Sequence, residues 1–202
     1  YAFMGCKSLK NISFPNIEWI GYSAFEGCIR LEKIHFPTLM TLYDFSFRNC
    51  INLQSVDLEN CIQLKDGVFQ GCCKLEKINC PNLATIQSNA FQNTSLSNVE
   101  FNFIENNVFN PSNGSQFSGC SKLKHVTMHN LKVVNDRMFE NCEQLMYIDM
   151  PNVVTIGIYG FFGCKSLKNI SFPNVDCIFN SAFEGNIEVE KIYFPFLTFL
   201  GQ

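Results

Sequence analysis

The sequence predicts a repeat solenoid built on parallel β-strands, and three observations lead to it. A phenylalanine recurs at Phe3, Phe25, Phe47, Phe69, Phe91, Phe117, Phe139, Phe161 and Phe183, with seven of the eight intervals equal to 22 residues and one equal to 26. A short apolar segment, ended by proline in six repeats, follows at a fixed offset. Cysteine fills one further slot in seven repeats. A period of this length means a small unit stacked on copies of itself, each burying its apolar face only against its neighbours.

With each recurring Phe set at zero, the elements of the unit follow in order. Six residues on stands an aliphatic residue, as in Leu9, Leu31 and Leu53; nine on stands Ile or Val, as in Ile12, Ile34 and Val56. At eleven come Phe14, Phe36, Leu58, Cys80, Met128, Met150, Phe172 and Phe194. The last two slots have the period of a strand, and the proline after them has no N–H to continue a ladder, so each repeat offers one strand. Successive strands reached by a coil that always turns the same way are parallel neighbours about 4.8 Å apart. Nine of them would form a sheet on the order of 40 Å long. Further apolar residues at fourteen and seventeen, as in Leu39 with Leu42, return along the opposite side.

The unit L-x-x-I-x-F-P-x-L-x-x-L, seen in Leu31, Ile34, Phe36, Pro37, Leu39 and Leu42, resembles leucine-rich repeats of the BspA-like class, as does Ala24-Phe25-Glu26-Gly27-Cys28. The resemblance covers nearly the whole chain. It implies a leucine-rich-repeat solenoid with a curved parallel β-sheet on the concave face and irregular or short helical turns on the convex face. Residues 1–202 are expected to form a single domain of about nine units, irregular near 91–117. Because the chain starts inside one repeat and stops inside another, it is expected to be a portion of a longer protein.

A formal net charge of −3 supplies no basic field, so no nucleic-acid partner is expected. No apolar run approaches the roughly 20 residues of a membrane span, so no direct membrane insertion is expected either. Nine of the eleven cysteines fall in slots that face inward, Cys6 among them; only Cys73 and Cys177 stand in variable slots. Buried free thiols pack as small hydrophobes, and no His or paired C-x-x-C lies near Cys72, Cys73 or Cys80, so neither a metal nor any cofactor is expected. His35, His125 and His129 belong to no catalytic motif, and no enzyme is expected.

The variable residues inside each strand form the outward face. Most are small or charged, and the C-terminal third departs from this with Met146, Tyr147 and Tyr193. Large semi-apolar side chains on a solvated sheet are candidate anchors, so His125, Met146, Tyr147, Asp149 and Tyr193 are the candidate binding residues. The long fifth repeat, through Asn106 to Ser115, reads as an exposed loop. Gly5 to Asn16 reappears unchanged as Gly163 to Asn174, which points to duplication. Family resemblance implies a protein-binding or adhesion scaffold, with a host or extracellular-matrix protein as partner and a cell-surface or secreted location; a cytoplasmic one stays open. The rival reading is a structural spacer within a larger surface protein, and an enzyme is a distant third.

Overall fold

A computed structural model describes residues 1–104 and 112–202. In chain order the strands are β1 (Trp19–Ile20), β2 (Lys33–His35), β3 (Thr41–Leu42), β4 (Ser55–Asp57), β5 (Gln63–Leu64), β6 (Lys77–Asn79), β7 (Thr85–Ile86), β8 (Asn98–Glu100), β9 (His125–Thr127), β10 (Val133–Val134), β11 (Tyr147–Asp149), β12 (Thr155–Ile156), β13 (Asn169–Ser171), β14 (Cys177–Ile178), β15 (Lys191–Tyr193) and β16 (Phe199–Leu200). Every pairing among them is parallel, so the chain is a parallel-strand β-solenoid. Each regular turn carries two strands where one was expected. The three-residue strands occupy the expected slot, and the two-residue strands place the aliphatic residue at offset seventeen into the core, as with Leu42 and Leu64.

The third side of each turn is the segment around the recurring Phe. Its alternate amides bond to the next turn: Ser23 N–H donates to Asp44 O at 3.0 Å, Phe25 to Ser46 O at 2.8 Å and Gly27 to Arg48 O at 2.8 Å. These amides face along the stack because the chain turns left-handed on both flanks of the Phe, at Ser23 (φ 46°) and Gly27 (φ 70°). Left-handed backbone favours Gly and Asn, which is why the slot two after the Phe alternates between them, as Asn49, Gly71, Asn93 and Gly119. The intervening amides close tight turns within the coil, as Glu26 N–H to Ser23 O at 3.2 Å and Cys28 N–H to Phe25 O at 3.1 Å, and no helix forms among the described residues. Of the irregular or short helical turns expected for the convex side, the described residues form the irregular kind.

The Phe side chains form the spine of the core. From Phe3–Phe25 through Phe161–Phe183 each ring stacks on the next, with centroids 5.2 to 5.9 Å apart and planes within 19°. Phe47, Phe69, Phe91, Phe117, Phe139 and Phe161 are completely buried. Leu53, Val56 and Leu64 show how the inward slots of the two strands close around that spine.

The expected single sheet of nine strands is divided. The three-residue strands form the orders β2-β4-β6, β11-β9-β8 and β13-β15. One division lies at the fifth repeat, where Phe91 to Phe101 spans ten residues and the corresponding interval elsewhere is eleven. The other, between β11 and β13, separates turns of ordinary length, and nothing in the sequence explains it. Of the expected long loop, 105–111 lie outside the described residues. Its end belongs to the stack: Asn89 N–H donates to Gly114 O at 3.1 Å and Ser115 N–H to Asp136 O at 2.9 Å.

Candidate protein-binding surface

On the three-residue strands the middle residue points inward and its two neighbours point out, as Lys33, Ile34 and His35 show. The outward side chains therefore form two columns running along the stack, one through Lys33, Ser55 and Lys77 and the other through His35, Asp57 and Asn79. In the second column His35 Nδ1 lies 2.7 Å from Asp57 Oδ2, and Asn79 Nδ2 donates to Asp57 Oδ1 at 2.7 Å. Polar residues on this face thus hold one another across turns and give a fixed, solvated surface.

Three of the five candidate residues, His125, Tyr147 and Asp149, lie on β9 and β11, and Met146 directly precedes β11. Tyr147 sits directly beside His125 in the register, and their rings meet edge-on at a centroid distance of 6.0 Å. Met146 and Tyr147 are 51% and 56% exposed, a large apolar surface for residues at the start of a paired strand. Asp149, in the neighbouring column, places Oδ2 2.9 Å from His129 Nε2. Tyr193 is 58% exposed but stands two turns away, in the column of Asp149 beside Ser171. About 10 Å of stack separates its rung from that of Tyr147, a distance one protein partner spans easily.

Sequence reasoning missed a second group of aromatic side chains, on and just after the two-residue strands β1 and β3. Trp19 meets Tyr43 edge-on at 6.4 Å, and Tyr22 meets Tyr43 at 5.5 Å. The available signal was the single Trp of the chain, in a slot that most other repeats fill with Thr, Gln or Val.

The thiols make a structural column. Cys28, Cys50, Cys72, Cys120, Cys142 and Cys164 each donate from Sγ to the carbonyl of the Phe in the preceding turn, at 3.0 to 3.3 Å. Burial pushes Cys50 and Cys164 up to about 12 and Cys120 up to about 11, and holds Cys72 and Cys142 well above the ordinary thiol range. The thiols remain protonated donors. All eleven cysteines are free, and Cys6, expected to face inward, is exposed. Among the described residues no group of three or more His, Cys, Asp or Glu is placed to hold a metal ion, and no helix is long and apolar enough to cross a membrane.

Comparison with known proteins agrees with this geometry. The model of the BspA type leucine-rich-repeat region matches residues 1–115 and 113–202. A leucine-rich-repeat protein from Bacteroides ovatus superposes with a TM-score of 0.53 at 25% identity, over 99% of this chain and 70% of that one. The T. pallidum leucine-rich-repeat protein gives a TM-score of 0.64 at 22% identity over 75% of this chain and 72% of its own. A leucine-rich cell surface protein from Faecalibacterium prausnitzii gives 0.58 at 18% identity, covering 96% and 75%. No curated protein sequence matches.

Proposed function

The chain belongs to the BspA-type leucine-rich-repeat family, and from that premise we propose that it is a non-catalytic scaffold that binds another protein through the outward face of β9 and β11. The observation that carries the reading is the pair Met146 and Tyr147. Both are more than half exposed, Tyr147 on β11, which is paired to β9, and Met146 just before it, with its N–H donated to Lys124 O at 3.0 Å. The backbone there is already ordered, so contact with a partner has only side chains left to order, and aromatic anchors carry a disproportionate share of interface energy. His125 props the ring of Tyr147, Asp149 offers a fixed carboxylate at its margin, and Tyr193 extends the contact. The partner is a host or extracellular-matrix protein and the location is the cell surface or the secreted space; the fold likeness to the cell surface protein of F. prausnitzii supports the second point.

The test is retention of a partner by the immobilised chain. The double change Tyr147→Ser and Tyr193→Ser should weaken that binding by about 2 kcal/mol or more, with the solenoid still folded. Unchanged affinity would move the site off this face. One observation favours a spacer instead: twelve residues, Gly5 to Asn16, recur unchanged as Gly163 to Asn174, outward residues included. A spacer would retain no specific protein at all.

A further inference from the structure

The division of the sheet at the fifth repeat opens a cleft of about 340 Å3 between β6 and β8. Ile78, Cys80 and Pro81 wall one side and Val99, Phe101 and Phe103 the other. Among the described residues three kinds of link between turns fail here together. β6 pairs with β4, and β8 with β9, but β6 and β8 do not pair. At the strand end, Phe36, Leu58, Met128 and Phe172 each donate a backbone N–H to the following turn, whereas Cys80 makes no such bond. Beyond it, Asn60, Asn82, Asn130, Asn152 and Asn174 each donate to a carbonyl of the preceding turn. The fifth turn has Phe103 in that slot, so Pro81 O receives no such donor, and the ring is 57% exposed.

The turns stay closed on the other side of this opening. Ser95 N–H donates to Leu75 O at 3.0 Å, Ser95 Oγ donates to Cys73 O at 2.7 Å, and Phe69 and Phe91 remain stacked at 5.7 Å. The cleft is therefore a wedge confined to the strands, set by the missing residue between Phe91 and Phe101. The gap between β11 and β13 is different, since Asn174 still donates there to Pro151 O at 2.8 Å.

A strand edge offers alternating donors and acceptors that an extended backbone can satisfy. Beside this edge Ile78 is only partly buried, while Ile34 and Val56 in the same slot are buried. We infer that the cleft takes an extended segment of a partner protein, added as a strand along Lys77–Asn79, with one aliphatic side chain set inward against Ile78 between two polar ones. Ser55-Val56-Asp57 shows that pattern within the chain itself. This surface is distinct from the Tyr147 patch, and the inference does not rest on that patch.

The probe is a capped peptide with the sequence of Leu53–Leu58, labelled through a C-terminal extension and titrated into the full chain. Saturable binding is expected, weakened at least about tenfold when two alternate amides of the peptide are N-methylated, because backbone pairing is then blocked. One residue inserted between Ser95 and Leu96 restores the eleven-residue interval and should close the cleft and remove binding. The double change at Tyr147 and Tyr193 should leave it intact. No saturable binding of the unmodified peptide, equal binding of the methylated one, or full binding by the folded insertion variant would overturn the inference.

Discussion

Buried between turns, a thiol stays protonated, and a protonated thiol can donate a hydrogen bond. The six column cysteines use that capacity on the carbonyl of the preceding Phe. Alkylation of the native protein should therefore mark Cys6 and Cys73, which are exposed, then the partly exposed Cys177, and spare the column. Mass mapping checks this, and label on Cys72 or Cys142 in folded protein would contradict it. The same burial makes stability depend on pH. Cys50 and Cys164 titrate near 12 when folded against about 9 when unfolded, so the unfolded chain loses those protons first. Their contribution is fully present below pH 9 and is lost as the pH rises toward 12, each thiol adding up to about 1.4 kcal/mol per pH unit in that window. Melting temperatures across pH 7 to 11 should be flat at first and then fall. A Cys50→Ala, Cys164→Ala variant should show a shallower fall, and an identical slope would count against the thiols.

At the scale of the turn, the ring stack and the polar ladders divide the work. Replacing Phe69 by Ala removes a completely buried ring stacked on Phe47 at 5.9 Å and on Phe91 at 5.7 Å, and should cost about 3 to 5 kcal/mol in chemical denaturation. A loss below about 1 kcal/mol would mean that the spine does not hold the turns together. Asn152→Ala, which removes an exposed donor to His129 O, should cost only about 0.5 to 1 kcal/mol. The inward slots were legible because apolar identity at a fixed offset is all that burial requires, and the Gly/Asn slot was legible because left-handed backbone restricts identity. The flank two residues before each Phe was not legible: it is equally left-handed yet holds Ser23, Phe45, Arg137 and Tyr159, since bonds between turns override local preference. The second strand escaped notice because two residues are too few to show a period. The Asn donor after the proline was present in the sequence as Asn60, Asn82, Asn130, Asn152 and Asn174, but a polar residue at a turn carries no mark of its partner. Of the candidate site, the outward direction of Tyr147 and Asp149 could be read from strand alternation about Ile148, whereas the packing of His125 on Tyr147 needed the register.

Across the whole molecule, stability is spread along a stack in which each turn meets only its neighbours, so substitutions three or more turns apart should add. That arrangement lets outward residues vary freely, which is how a patch such as Met146 and Tyr147 can arise without disturbing the fold. It also locates irregularity: the fifth turn keeps the Phe stack, at 5.3 Å between Phe91 and Phe117, while its strand comes one residue early. Excising residues 113–115 should destabilise the chain, because Gly114 and Ser115 carry the ladder bonds there; thermal unfolding of that deletion checks it, with an unchanged midpoint as the adverse result. The most direct measurement of the binding face uses a photo-reactive phenylalanine in place of Tyr147 and, in a separate chain, in place of Phe162 on the Phe side of the coil. Irradiation with the partner retained by the unmodified chain should give a covalent product from position 147 and none from position 162. A product from position 162 alone would contradict the account and place the interaction on the other side of the solenoid.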